Sequence, residues 1–144
     1  MKEIIRFFDC FAGIGGFYCG ASQIKSNKYE FRHVAYCEID KSAQRFYDIA
    51  CSSDGVQKIQ DVKDIKTKKN PTGTEVVDFD ILFAGFPCQS FSNIGYRKGF
   101  DDPRGQLFFY ILDMLDYYRP KYFVLENVQK IHPIKNGSLL DEMK

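Results

Sequence analysis

The alternation of strand-like and helix-like segments constrains the fold of this chain most strongly. Short apolar runs indicate strands, and longer segments with helical spacing between them indicate helices. This is the βαβ pattern of a parallel sheet that helices cover on both faces. The predicted strands are 4–8, 33–37, 56–59, 79–84 and 122–125, and the predicted helices are 17–25, 41–51 and 106–118. We therefore predict an α/β fold with a doubly wound, mainly parallel sheet of strand order 3-2-1-4-5.

Composition excludes several classes of protein. A chain of 144 residues with 44% hydrophobic and 16% aromatic residues fits one globular domain, and a net charge of +1 neither favours nor excludes nucleic acid as a partner. No segment has the apolar length of a signal peptide or a membrane span. The five cysteines form no CxxC pair, so we expect no metal site and reduced thiols. Cys10, Cys19, Cys37 and Cys51 are interpreted as packing residues.

Three features fall where predicted strands end. A glycine-rich turn at 11–16 follows the first strand, Glu38 follows the second, and Asp61 follows the third. Open α/β sheets bind ligands at the carboxyl ends of their strands, and an acidic side chain there accepts hydrogen bonds from ribose hydroxyls. Each feature alone is as well explained by an ordinary turn or a solvated carboxylate. Together they favour a pocket for a cofactor that carries a nucleoside.

A second group of features suggests covalent chemistry. Cys88 follows the fourth strand and Pro87, at the start of a glycine-punctuated segment that extends to residue 104 and is typical of a functional lid. Glu126 ends the fifth strand, which neighbours the fourth in the predicted order. A thiol beside a carboxylic acid suggests a nucleophile and a general acid. The alternatives are a core cysteine and a glutamate that only satisfies backbone groups.

These motifs resemble those of the cytosine-5 DNA methyltransferase family. The resemblance runs from about Phe8 to Val128 and rests on six segments, in order FAGIGGF, CEID, DVKDI, GFPCQSFSNIG, RGQLFF and ENV. It implies a Rossmann-like fold that binds S-adenosylmethionine, truncated before its last strands. Residues 1–129 would form part of the cofactor-binding and catalytic subdomain, and residues 130–144 would be a tail leading towards the missing part.

The resemblance also implies a role for each matching residue. Cys88 would attack ring carbon 6 of a cytosine flipped out of double-stranded DNA, while Glu126 holds and protonates ring nitrogen 3. The methyl group would pass from S-adenosylmethionine to ring carbon 5, leaving S-adenosylhomocysteine. The implied cofactor-binding residues are Phe11, Gly13, Gly15, Gly16, Glu38, Ile39, Asp61, Val62, Pro87 and Leu107. The implied substrate-binding residues are Gln89, Ser92, Arg97, Arg104 and Asn127.

The family's later motifs and its target-recognition domain have no counterpart in these residues. We therefore expect either a second polypeptide that carries them or a chain that is a fragment, inactive alone in either case. The expected setting is bacterial and cytoplasmic, in a restriction-modification system acting on nucleoid DNA, without membrane association. Two alternatives stay open: a tRNA cytosine-5 methyltransferase, and a non-catalytic remnant or regulatory module that only binds the cofactor.

Overall fold

The computed structural model describes residues 1–87 and 107–127. The five strands are β1 (Glu3–Cys10), β2 (Tyr29–Cys37), β3 (Gln57–Ile59), β4 (Ile81–Gly85) and β5 (Tyr122–Glu126). The α-helices are α1 (Gly16–Ser22), α2 (Lys41–Ala50) and α3 (Leu107–Tyr118), and a short 3-10 helix spans Val62–Asp64. All five predicted strands and all three predicted helices are present.

The strands form one parallel sheet in the order β3-β2-β1-β4-β5. This confirms the predicted α/β fold and strand order. The central strand β1 is flanked by β2 and β4, so the chain reverses its direction of travel across the sheet at the carboxyl end of β1. Ligand-binding crevices of open α/β sheets form at such reversal points.

Helices cover both faces of the sheet. On one face Phe8, Cys10 and Leu82 pack with Phe108 and Ile111 of α3. On the other face α1 and α2 contribute the buried residues, with Ala21 packed near Phe7 and Tyr47 packed against Tyr36. The last four residues of β1 are therefore all buried, whichever face they point to, as expected for a strand covered on both sides.

Local signals set most element boundaries, and the exceptions are instructive. Asp40 is the N-cap of α2, because its carboxylate accepts hydrogen bonds from the N–H groups of Ser42 and Ala43, both at 2.8 Å. In contrast, β2 begins at Tyr29 rather than at residue 33. Its first residues alternate between exposed and half-buried, and they are strand because they pair with β1 from Glu3 onwards. Hydrophobicity alone does not reveal that pairing.

A charged cluster ties three strands together at their amino ends. The carboxylate of Asp80, just before β4, accepts from Arg6 of β1 at 3.1 Å and lies 3.0 Å from the ammonium of Lys121 before β5. The Arg6 side chain holds the pKa of Asp80 well below its usual range, helped by the backbone N–H of Arg6. This cluster lies at the end of the sheet opposite to the candidate site.

The edge strand β5 is largely exposed in the part of the chain that the structure describes. Tyr122, Phe123 and Val124 are 62%, 51% and 46% exposed.

Among residues 1–87 and 107–127, no helix combines the length and apolar character needed to cross a membrane.

Candidate cofactor pocket and catalytic edge

The turn after β1 depends on glycine. Gly13 and Gly15 have φ angles of +54° and +94°, in the left-handed region that side chains other than glycine rarely adopt. A Cβ at Gly15 would also collide with Sγ of Cys51 and lie 3.4 Å from the ring of Tyr47. The turn is closed by the N–H of Gly15, which donates to the carbonyl of Ala12 at 2.9 Å. The predicted third glycine, Gly16, is the first residue of α1.

Glu38 is held across this turn. One carboxylate oxygen accepts from the N–H of Gly13 at 2.8 Å, and the other accepts from the N–H of Asp40 at 2.8 Å. The side chain thereby links the end of β2 to the glycine turn that follows β1. Because an ionised carboxylate has about four acceptor positions, two backbone donors leave capacity for further hydroxyl donors.

Asp61 occupies the corresponding position after β3. Its Oδ1 accepts from the N–H of Lys63 at 3.0 Å and caps the 3-10 helix that begins at Val62. Val62 itself is buried. The ends of β2 and β3 are joined directly, since the N–H of Glu38 donates to the carbonyl of Ile59 at 3.2 Å. The two acids therefore lie on adjacent strand ends at one edge of the sheet.

These elements enclose a cavity of about 340 Å³. Its lining consists of Phe11, Cys37, Glu38, Ile39, Gln60, Asp61, Val62, Lys63, Gly85, Pro87 and Leu107. Seven of the ten residues predicted to bind cofactor are in that lining; the exceptions are the turn residues Gly13, Gly15 and Gly16. The walls are mainly apolar with a few convergent polar groups, the character of pockets that bind small molecules.

Four lining residues were not predicted from the sequence. Cys37 and Gln60 directly precede the predicted acids, and Lys63 lies two residues after Asp61. Gly85 is the last residue of β4 and faces the same cavity. A rule that extends each strand-end motif by one or two residues would have found them all.

The fourth and fifth strands bring Glu126 close to this cavity. Gly85 pairs in register with Glu126, and a Cβ at Gly85 would lie 3.4 Å from the carboxylate of Glu126. Asn127 fixes the end of β5, because its side-chain amide donates to the carbonyl of Phe86 at 3.0 Å. The Glu126 carboxylate thus lies beside the last residues described before Cys88.

Several predicted residues lie outside the described part of the chain. These are Cys88, Gln89, Ser92, Arg97 and Arg104, together with most of the predicted lid. The proximity of the Cys88 thiol to Glu126 therefore stays a prediction. No group of three or more potential metal ligands occurs among residues 1–87 and 107–127.

A buried polar network beneath the turn was not predicted. The Tyr47 hydroxyl donates to Asp9 at 3.0 Å and lies 3.1 Å from Nε2 of His33. Burial raises the pKa of the Asp9 carboxyl to about 7, opposed by the hydroxyl of Tyr47, and lowers the pKa of His33 to about 4. Oδ1 of Asp9 and Nδ1 of His33 have no hydrogen-bond partner among the described residues. The sequence around Asp9 did not indicate that this carboxyl is buried.

The fold and the pocket together indicate a class of protein. A parallel α/β sheet with a glycine turn at its reversal point, and acids on the next two strand ends, is typical of proteins that bind a nucleoside-bearing cofactor. The particular family follows from comparison: the model of the C-5 cytosine-specific DNA methylase family matches residues 5–144. The chain belongs to this family, which confirms the resemblance found in the sequence.

Individual relatives agree with that assignment. The orphan methyltransferase M.Rho11sI of Bacillus phage rho11s is 40% identical over 139 residues, which cover 96% of this chain and 26% of the phage protein. The type II methyltransferase M.HhaI of Haemophilus parahaemolyticus is 38% identical over 97% of this chain and 38% of its own length. The chain therefore spans roughly a quarter to two-fifths of these curated relatives.

Solved structures give the same picture. A prophage-encoded DNA modification methyltransferase from E. coli is similar with a TM-score of 0.68 and 26% identity, covering 91% of this chain and 34% of that one. The Entamoeba histolytica methyltransferase EhMeth has a TM-score of 0.66 over 89% of this chain and 39% of its own, and its 20% identity supports the fold alone.

Proposed function

We propose that this chain is the cofactor-binding and catalytic part of a DNA cytosine-5 methyltransferase. It would transfer a methyl group from S-adenosylmethionine to carbon 5 of a cytosine flipped out of double-stranded DNA. One observation carries the proposal: a single cavity joins the carboxylates after β2 and β3, and Glu126 lies against Gly85 in its wall. The family and the type II methyltransferases among its relatives support the same reaction and substrate.

The residues present fit S-adenosylmethionine. Glu38 is already held by two backbone donors and has acceptor positions left for ribose hydroxyls. Asp61, fixed by the N–H of Lys63, would accept from the adenine amine, and apolar Val62 and Leu107 would pack against the base. Phe11, Ile39 and Pro87 would complete the apolar wall. The bound cofactor supplies a methyl group activated by a neighbouring sulfonium.

Gly13, Gly15 and Gly16 would act through the backbone. Gly13 donates its N–H to Glu38, Gly15 leaves room for the side chains of Cys51 and Tyr47 behind the turn, and Gly16 begins α1. These three glycines are therefore proposed to shape the site, although they do not line the cavity itself.

Catalysis is assigned to Cys88 and Glu126. The Cys88 thiolate would add to ring carbon 6 of the flipped cytosine, and Glu126 would hydrogen-bond and protonate ring nitrogen 3. The addition makes ring carbon 5 nucleophilic enough to accept the methyl group, and loss of the proton at carbon 5 then releases the cysteine. Glu126 is suited to this task because its carboxylate lies next to the end of β4, from which Cys88 follows after two residues.

The remaining proposed contacts concern DNA. Gln89, Ser92 and Asn127 would position the flipped base, and Arg97 and Arg104 would contact phosphates. We also propose that a target-recognition domain outside these residues selects the DNA sequence, in the same longer protein or in a second polypeptide, and that the chain alone is inactive. We also propose a role in restriction-modification and a bacterial cytoplasmic location, in keeping with this substrate and with the relatives named as type II enzymes.

The test is covalent trapping with a duplex that contains 5-fluorocytosine. Fluorine at carbon 5 blocks release of the cysteine, so the protein together with its target-recognition domain should form, in the presence of S-adenosylmethionine, an adduct that survives denaturing electrophoresis. Cys88→Ser should abolish the adduct, Glu126→Gln should slow it by about 100-fold or more, as for loss of a general acid, and Glu30→Gln on the outer part of β2 should leave it unchanged. An adduct that persists in Cys88→Ser would remove Cys88 as the nucleophile. Trapping on tRNA but not on the duplex would favour the tRNA alternative.

A further inference from the structure

Two cysteines meet directly behind the glycine turn. Cys19 lies in α1, one helical turn after Gly15, and its N–H donates to the carbonyl of Gly15 at 2.9 Å. Cys51 is the C-cap residue of α2. The Cys51 thiol lies against the same glycine and interacts electrostatically with the Cys19 thiol, and both thiols are free in this structure. The pair joins the two helices that cover the same face of the sheet.

Access to the two thiols differs sharply. Cys19 is exposed, which makes its interpretation as a packing residue wrong, whereas Cys51 is fully buried beside Tyr47. Burial raises the pKa of the Cys51 thiol to about 11, with smaller contributions from Cys19 and Asp9. A reagent in solution can therefore reach Cys19 first, and Cys51 can react only through Cys19. An accessible thiol next to a resolving thiol is the arrangement that favours disulfide formation over further oxidation.

The chain contains a natural comparison for this pair. Cys10 and Cys37 are register partners on β1 and β2, and their thiols also interact electrostatically. Both are buried, at 0% and 2% exposure. Cys37 lines the cofactor cavity, but neither thiol of this pair is exposed as that of Cys19 is, so a small oxidant should distinguish the two pairs.

We propose that Cys19 and Cys51 form a reversible thiol-oxidation site, closed by a low-molecular-weight disulfide and opened by thiol reductants. The Cys19 thiolate attacks the small disulfide, which forms a mixed disulfide and releases one thiol. The Cys51 thiolate then attacks Cys19 Sγ, which forms the Cys19–Cys51 bond and releases the second thiol. The protein loses two electrons and two protons, and the small disulfide is reduced to two thiols.

We expect closure of this bond to disturb the turn. A disulfide holds its two sulfurs about 2 Å apart. Cys51 Sγ already lies against the position where Gly15 would carry a Cβ, and the backbone of Cys19 is bonded to the same glycine. We therefore expect the closed bond to shift Gly15, and with it the nearby bond between Gly13 and Glu38, which is 2.8 Å long.

The consequence for the cofactor rests on the proposed function. If Glu38 orients the ribose, displacement of the turn weakens binding of S-adenosylmethionine. We expect the dissociation constant to rise about tenfold, as for loss of one hydrogen bond to a charged group. Reduction should restore the original affinity.

The experiment uses the full-length protein with Cys88→Ala, so that Cys88 does not compete for the oxidant. The protein is incubated with oxidised glutathione and digested without reduction, and its disulfide-linked peptides are identified by mass spectrometry. In parallel, its affinity for S-adenosylmethionine is measured by calorimetry before oxidation, after oxidation and after re-reduction. We expect a Cys19–Cys51 peptide, no Cys10–Cys37 peptide, and a reversible tenfold loss of affinity. Cys19→Ser and Cys51→Ala should each bind cofactor equally well with and without oxidant.

The outcomes are separable. No Cys19–Cys51 peptide, or one accompanied by unchanged affinity, would overturn the proposal. A reduced protein that binds no S-adenosylmethionine would instead contradict the proposed function, and the peptide map alone would then decide whether the thiol site exists.

Discussion

Replacement of Gly15 by alanine should cost more stability than replacement of any other glycine near the turn. Gly15 has φ +94°, and a left-handed conformation costs an alanine about 1–2 kcal/mol. The added methyl group must also displace the fully buried Cys51 thiol, an overpacking cost of about 1–3 kcal/mol. We therefore expect Gly15→Ala to lower the free energy of unfolding by about 2–5 kcal/mol.

Two other glycines separate these costs. Gly13 has φ +54° but open space around its Cβ position, so Gly13→Ala should show the backbone cost alone, about 1–2 kcal/mol. Gly20 lies within α1 with a negative φ and open space, so Gly20→Ala should stabilise the protein by about 0.5–1 kcal/mol. Cys51→Ala combined with Gly15→Ala should recover the overpacking part.

Urea unfolding of the full-length protein, followed by far-ultraviolet circular dichroism, is a suitable assay. The expected order of midpoints is Gly20→Ala highest, then wild type, Gly13→Ala and Gly15→Ala. Equal midpoints for Gly13→Ala and Gly15→Ala, or no coupling between Gly15→Ala and Cys51→Ala, would refute the close packing of Cys51 against the turn.

Two further predictions concern pH. Asp80 has a lowered pKa because of Arg6, so its contribution to stability is complete above pH ~4 and is lost as the pH falls below that value. Asp80→Asn should lower the free energy of unfolding by about 1–3 kcal/mol at pH 7, and it should flatten the fall of the urea midpoint at acid pH. If the urea midpoint of Asp80→Asn fell at acid pH as that of wild type does, the Arg6–Asp80 pair would be excluded as the source of this pH dependence. Asp9 has a raised pKa of about 7, so its ionisation destabilises the folded state progressively as the pH rises from ~4 to about 7. Asp9→Asn should remove this decline of the urea midpoint. The same decline in wild type and variant would contradict the burial of the Asp9 carboxyl.

The sequence predicted the sheet because its signals were local. Apolar runs bounded by glycine or acidic residues marked every strand, and Asp40 marked the start of α2. The early part of β2 and the 3-10 helix at Val62–Asp64 were missed. Exposed Glu30 and Arg32 are strand because of their partners on β1, and such pairing leaves no pattern within the segment itself.

The candidate site was predictable to the extent that it lies at strand ends. Phe11, Glu38 and Asp61 line the cavity as expected, because parallel strands place their carboxyl ends at one edge. The network of Asp9, Tyr47 and His33 was not predictable, because it joins residues far apart in the chain through packing of α2 on β1 and β2. Exposure of Cys19 was missed for a similar reason: the helix face that α1 presents to solvent depends on where it packs.

The most direct test of the central claim is calorimetric titration of the full-length protein with S-adenosylmethionine. Glu38→Ala should weaken binding about 10- to 150-fold, because it removes charged hydrogen-bond acceptors at the ribose worth about 1.5–3 kcal/mol. Glu30→Ala is the matched control, since Glu30 lies on β2, the strand that Glu38 follows, and is exposed and does not line the cavity; this variant should bind with the affinity of wild type. Equal affinities for wild type and Glu38→Ala would contradict the assignment of this cavity as the cofactor site.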